Sequence, residues 1–174
     1  MRCGLPPVAE RTLIGAYERV LARTPDAQAQ ADETGSVTFA GSFERSLRLA
    51  AGFAAHGVGL RRPTALLLDN SLDAVHVWSA LGLGGMVEVP VNTAYKERFL
   101  LHVLNDSGAE LIVIEDGYAS RLAAVAGQLT ALRTVAVRGD VEQAAALRDR
   151  FRVVPLADLA EHGRPDPCLA TPAS

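Results

Sequence analysis

The sequence predicts an α/β fold built on a parallel sheet, and three features of it carry that prediction. Short, continuous apolar runs alternate with helix-length stretches of 3.6-residue periodicity along most of the 174 residues. The apolar runs lack the in–out alternation of a half-exposed strand, as expected for strands covered on both faces. The connections between them are long enough for right-handed crossover helices.

Taken in order, Leu13, Tyr17, Val20 and Leu21 keep helical spacing, and Thr24-Pro25-Asp26 stops that helix. Ala27 to Ala31 and Val37 to Phe39 flank the polar loop Asp32-Glu33-Thr34-Gly35-Ser36, which predicts an N-terminal β-hairpin. Ser42 is expected to cap a helix whose Phe43, Leu47, Ala50 and Ala54 form one stripe, with Gly57 at its stop. Thr64 to Leu68 is the first predicted parallel strand. Leu72 to Leu83 is apolar almost all round and predicts a buried helix. Val87 to Val91 is the next strand, followed by a helix with Phe99, Leu100, Val103 and Leu104 inward and Gly108 at its end. The pattern closes with a strand at Glu110 to Ile114, a helix at Ala119 to Leu129 and a strand at Thr134 to Val137. A helix at Val141 to Arg150 and a short strand at Arg152 to Pro155 follow. Residues 1–160 are therefore expected to form one α/β unit. Residues 161–174, punctuated by Pro165, Pro167 and Pro172, are expected to be a linker.

Composition excludes several function classes. Hydrophobic residues make up 49% and charged residues 21%, ordinary for a globular protein. A formal charge of −3, with no basic block and Lys96 as the sole lysine, argues against nucleic acid as a partner. Cys3 and Cys168 lie at opposite ends without ligand spacing, so neither a disulfide framework nor a zinc site is expected, and a cytoplasmic location fits. The apolar stretch Ala74 to Val91 is interrupted by His76, Glu88, Pro90 and glycines, so no transmembrane segment is expected.

In a sheet of this kind, ligands sit beyond the carboxyl ends of the strands. The loops there are Asp69-Asn70-Ser71, Asn92-Thr93-Ala94-Tyr95 and Glu115-Asp116-Gly117. Asn70-Ser71 and Asn92-Thr93 fit helix caps, or helix starts whose free N–H groups face an anionic ligand. Gly82-Leu83-Gly84-Gly85 falls after a helix and before a strand, the reverse of a dinucleotide fingerprint, and marks a helix stop. No phosphate-cradling loop, no G-x-S-x-G and no separated pair of carboxylates suited to acid–base work is present. Residue chemistry alone gives an α/β domain without a visible catalytic centre.

Two long stretches resemble the opening of the adenylate-forming enzymes, which include acyl-CoA synthetases, luciferases and peptide-synthetase adenylation domains. The first is "TLIGAYERVLARTPDAQAQADETGSVTFAGSFERSLRLAAGFAAHGV". The second is "ALLLDNSLDAVHVWSALGLGGMVEVPVNTAYKERFLLHVLNDSGAELIVI". Asn70-Ser71, Gly85, Pro90-x-Asn92, Tyr95 and Asp106-Ser107-Gly108-Ala109 fall where that family has them, and the likeness covers residues 10–138. Val91-Asn92-Thr93-Ala94-Tyr95 resembles the acyl-CoA ligase branch, closest to ligases for fatty acids and for carnitine- or crotonobetaine-like acids.

The resemblance implies a parent enzyme that joins a small carboxylic acid to ATP, with Mg²⁺, and passes the acyl group from acyl-AMP to coenzyme A. It implies no catalytic residue in this stretch, because the family's phosphate loop, its later motifs and its catalytic lysine have no counterpart here. The chain is expected to stop ahead of the first of them, to be inactive by itself, and to bind neither ATP nor any other cofactor tightly. Asn92 and Lys96 are the residues expected to border a coenzyme A entrance. An open sheet edge left by such a stop predicts a homo-oligomer. The alternative is a free-standing, non-catalytic α/β module for binding or oligomerisation.

Overall fold

The computed structural model describes residues 12–161. The expected linker, 161–174, lies outside the described residues except for Glu161, as do both cysteines. Five parallel strands form the sheet: β3 (Pro63–Leu67), β4 (Val87–Pro90), β5 (Leu111–Glu115), β6 (Thr134–Arg138) and β7 (Arg152–Pro155), in the order β4-β3-β5-β6-β7. A separate antiparallel hairpin, β1 (Gln28–Asp32) and β2 (Gly35–Thr38), precedes it. Asp32 fixes the hairpin's turn by accepting from the Thr34 amide at 2.8 Å and its hydroxyl at 2.6 Å.

Helices cover both faces. On one side α2 (Phe39–Ala55), α3 (Leu72–Leu83) and α6 (Leu156–Leu159) close a core of Phe53, Val77, Leu81, Leu111, Val113 and Leu159. On the other, α4 (Glu97–Ser107) and α5 (Ala119–Val125) bury Leu100, Leu104 and Leu122 against Ile112, Ile114 and Val135. Alternate residues of β5 thus enter opposite cores, which explains why its sequence is apolar throughout. A third, smaller cluster joins α1 (Leu13–Leu21) to α2 and α3 through Tyr17, Leu47 and Leu83.

Several local expectations are corrected. Thr38, not Ser42, caps α2: its hydroxyl accepts from the Gly41 amide at 3.1 Å, because the helix begins where the hairpin ends. Ser42 is buried one turn later, where its hydroxyl donates to Gln30 Oε1 at 3.0 Å and lies 3.2 Å from the Tyr17 hydroxyl. Phe99 points out of α4, 55% exposed, while Leu100 and Leu104 face in. The helix α3 is not wholly buried, since Val75 and Trp78 are exposed on one stripe. Val141–Leu147 is a 3₁₀ helix, in which Ala144 and Leu147 are buried one tight turn apart. The expected 119–129 helix is shorter: α5 ends at Val125 and a 3₁₀ turn follows.

The glycine run behaves as a helix stop. Gly84 ends α3, and Gly85, at φ 63°, turns the chain so that its carbonyl accepts from Arg61 N at 2.8 Å. That bond fixes the start of β4 beside β3.

Candidate functional site

The strand order reverses at β3: α3 carries the chain outward to β4, whereas β5 returns to the opposite side of β3. Such a reversal separates the loops that follow β3 and β5, and it is where open α/β sheets place ligands. Here that crevice is spanned by hydrogen bonds. Tyr118, in the 3₁₀ turn after β5, donates its hydroxyl to Asp69 Oδ1 at 2.6 Å, and Asp69 N donates to Glu115 Oε1 at 3.3 Å. The hydrogen bond to Asp69, with lesser contributions from burial and the Asp69 charge, pushes the Tyr118 hydroxyl above its ordinary value.

Arg121, near the start of α5, stacks its guanidinium 4.5 Å over the Tyr118 ring and donates to the Thr93 carbonyl. Asp69, Tyr118, Arg121 and Thr93 therefore tie together the loops after β3, β5 and β4. Sequence reasoning missed Tyr118 and, of more consequence for the tie between loops, Arg121. It stands on a different crossover helix from the one that follows Thr93, and only the fold brings the two together.

The expected site residues lie on the loop after β4. Asn92 is exposed and its Oδ1 accepts from Ala94 N at 2.8 Å, so it closes a local turn and does not cap α4. Lys96 is the N-cap of α4, makes no side-chain capping bond, and is exposed. Next to it, Glu97 holds φ 45°, a left-handed conformation uncommon outside glycine. Tyr95 and Phe99 stack at 5.9 Å between centroids on either side of this turn. The structure thus places Asn92 and Lys96 on one exposed loop at the carboxyl end of the sheet. Ser71 does cap α3, accepting from Ala74 N at 3.1 Å.

A second polar cluster lies behind β6. Arg138 donates to Asp73 at 3.0 Å and to Glu115 at 3.1 Å, while Arg45 reaches Asp73 at 2.7 Å. Burial alone would raise the Asp73 carboxyl, but the hydrogen bonds and charges of Arg138 and Arg45 outweigh it and hold the group below its usual range. Arg45, Asp73 and Arg138, with Asp32 and His76, line a cavity of about 310 Å³. His76 is buried, neither ring nitrogen has a hydrogen-bond partner in the protein, and burial with the nearby Arg45 charge lowers its basicity. Asp32 Oδ2 also accepts from Leu72 N at 2.8 Å, joining the hairpin to the start of α3.

Chemically, both clusters hold and orient. Their carboxylates are engaged by arginines, a tyrosine or backbone amides, an arrangement that positions loops. Among the described residues, no group of three His, Cys, Asp or Glu side chains is placed to hold a metal ion. No helix among them is long and apolar enough to cross a membrane.

Comparison with known proteins gives this scaffold a context. The family model for AMP-binding enzymes matches residues 17–169. A long-chain-fatty-acid–CoA ligase of Escherichia coli O6:H1 is 32% identical over 134 residues, 76% of this chain and 24% of that protein. A phosphinothricin tripeptide synthetase of Streptomyces viridochromogenes is 32% identical over 117 residues, 67% of this chain and 11% of that protein. Among solved structures, a Rhodopseudomonas palustris protein described as a long-chain-fatty-acid CoA ligase superposes with a TM-score of 0.78 at 25% identity. That likeness covers 89% of this chain and 37% of the other. The chain spans about a quarter of the ligase relative's length and about a tenth of the peptide synthetase's.

Proposed function

The chain belongs to the AMP-binding enzyme family, and from that premise we propose that it is the N-terminal portion of an ATP-dependent acyl-CoA synthetase. The parent reaction converts a carboxylate, ATP and coenzyme A into acyl-CoA, AMP and pyrophosphate through an acyl-AMP intermediate. A fatty acid is the substrate class we assign. The observation that carries this reading is the alignment with the Escherichia coli ligase, which takes in 76% of this chain against 67% for the peptide synthetase.

In this reading residues 12–161 supply scaffold and loops, and the groups that hold Mg²⁺-ATP belong to sequence outside them. The residues present do not fit that cofactor: adenylation needs a preorganised set of donors around a triphosphate. The arginines of the described crevice are committed to Asp73, Glu115 and Thr93. The isolated chain is accordingly expected to be inactive.

The loop after β4 is the part we assign to substrate. Arg121 pins its backbone at Thr93 and Asn92 closes its turn, so Lys96 is held at the exposed amino end of α4. A solvent-facing ammonium beside a helix N-terminus attracts phosphates, which suits the nucleotide end of coenzyme A. A cytoplasmic location follows from the same assignment.

The test has two parts. The coding DNA is read beyond the codon for Ser174, and the longer polypeptide is assayed for carboxylate-dependent ATP–pyrophosphate exchange across a fatty-acid series. A frame that continues into a Thr/Ser/Gly-rich loop ending Pro-Lys-Gly, with exchange, is the expected result. A stop codon there overturns the ligase reading for this molecule and favours a free-standing binding module.

A further inference from the structure

His76 is 2% exposed on α3, and neither of its ring nitrogens has a hydrogen-bond partner in the protein. Such orphaned polar atoms are rare in a fold. The ring does not stand in a sealed core, however. It lines the half-open cavity of about 310 Å³ between the hairpin, α2, α3 and the end of β6, which has room for several water molecules. Protons therefore reach a side chain that the fold otherwise buries.

Sharing the cavity wall with it are Asp32 from β1, Arg45 from α2, Asp73 from α3 itself and Arg138 from the end of β6. Arg138 also holds Glu115, at the end of β5. Other groups on the elements packed against α3 are engaged elsewhere. Tyr17 of α1 meets Ser42 and Ser79, Glu44 of α2 pairs with Arg48, and Glu88 of β4 meets Trp78.

The two carboxylates of the cavity are held unequally. Asp73 lies between two guanidiniums, Arg45 at 2.7 Å and Arg138 at 3.0 Å. Asp32 has only neutral donors: the Thr34 amide and hydroxyl and the Leu72 amide at 2.8 Å. Asp32 is therefore the one more easily drawn to a new cation. Its bond to Leu72 N matters locally, because that amide opens α3 and has no partner within the helix. Asp32 thus caps α3 from another element, beside Ser71 on the Ala74 amide. The loop Asp69-Asn70-Ser71 runs directly into this cap, and Asp69 is the residue that Tyr118 bonds across the crevice.

We infer that His76 is a proton-operated latch on this joint: an imidazolium formed in the cavity takes Asp32 from the Leu72 amide, frees the first turn of α3 and loosens the loop after β3. The sign follows from burial. Burial and the Arg45 charge outweigh Asp73 and Asp32 and hold the imidazole below its ordinary 6.5, so the closed joint binds a proton more weakly than the open one. The joint is closed above pH 6.5 and is pulled open as pH falls below it. The carboxylates do not cause that step: Asp32 is held at about 2 and Asp73 below 3.8, so both stay ionised at pH 5. The opening is local. The hairpin stays on α2 through Ser42 and Gln30 at 3.0 Å, and the Ala40 amide stays on the Pro25 carbonyl at 2.9 Å. The latch is independent of the ligase reading, since every group in it lies in the described residues.

The experiment is ¹H–¹⁵N NMR of the 174-residue chain from pH 8 to pH 5, following the His76 ring and the Leu72 amide, with the Ile112 amide of β5 as control. The Leu72 shift is expected to move with the His76 titration. Its exchange protection, corrected for the intrinsic pH dependence, is expected to fall about tenfold between pH 7 and pH 5, while Ile112 stays unchanged. In His76→Gln, neutral and polar at every pH, both changes should vanish. Asp32→Asn still accepts from the Leu72 amide but has no charge to offer an imidazolium, so it should keep Leu72 protected at pH 5. A Leu72 amide that is flat from pH 7 to pH 5 in the unaltered chain overturns the inference. A step that survives in His76→Gln overturns it as well, by assigning the change to another group. The unaltered chain decides by itself if His76→Gln does not fold.

Discussion

β4 and β5 flank the same strand, β3, yet they are built to opposite specifications. All five residues of β5 are buried, with side chains entering two separate cores, and its end is engaged on both sides through Glu115. No residue of β4 is fully buried, and Pro90 blunts its outer side. The inner strand is covered on both faces and paired on both sides; the edge strand has one neighbour and an open side. Buried apolar contact therefore concentrates around β5 and thins out at β4.

The largest effect is expected from Ile112→Ala, at the centre of β5. Its side chain is fully buried, so transfer and cavity terms together should cost about 4 kcal/mol in denaturant unfolding. Gly52→Ala comes next. Its new methyl would sit on the Leu159 carbonyl where α2 meets α6, and overpacking of this kind costs about 2 kcal/mol. A thermal melt unchanged by this substitution would show that the two helices separate easily.

Removal of Arg138 is expected to cost about 1–2 kcal/mol, since Glu115 and Asp73 lose a partly buried partner. The pH dependence of that pair follows from the lowered Asp73 carboxyl. Its contribution is full above the unfolded value of 3.8 and is lost as pH falls through the lower folded value. Asp32 behaves alike: its bonds to Thr34 and the Leu72 amide hold it at about 2, so its contribution disappears between about pH 4 and pH 2. Glu88, on the edge, has the opposite sign. Burial raises its carboxyl above 4.5 against the lowering effect of Trp78, so ionisation opposes folding as pH rises. Glu88→Gln should therefore raise the melting temperature slightly at pH 7 and change nothing at pH 3. A lowered melting temperature at pH 7 would contradict this reading of the edge. The smallest effect belongs to Leu60→Ser in the isolated chain, within about 0.5 kcal/mol of the parent in denaturant unfolding, because that side chain is 60% exposed in a turn.

Much of this architecture was readable from sequence because the inner strands are apolar on both faces and the glycines sit where helices must stop. The order of strands and helices, the hairpin and the Gly84-Gly85 turn all follow from such local chemistry. What the sequence did not disclose depends on distance along the chain. Ser42 looks like a cap until the hairpin is seen to end at Thr38, and then its hydroxyl is needed inside by Gln30 and Tyr17. Phe99 satisfies helical periodicity, yet the neighbouring Leu100 takes the inward position. Trp78 looks buried because α3 is apolar all round, and periodicity cannot say which face of such a helix lacks a neighbour. At the site, Asn92 and Lys96 are marked by their place after a strand. Arg121 has no such mark, since its partner Thr93 comes from another crossover unit.

The decisive assay is carboxylate-dependent ATP–pyrophosphate exchange with the purified 174-residue chain, across fatty acids of graded length and with Mg²⁺ present. No exchange above the protein-free control is expected at any chain length, because the arginines of the described crevice are already engaged by Asp73, Glu115 and Thr93. Clear exchange that depends on the added acid would contradict that expectation and would place the adenylating groups within this chain.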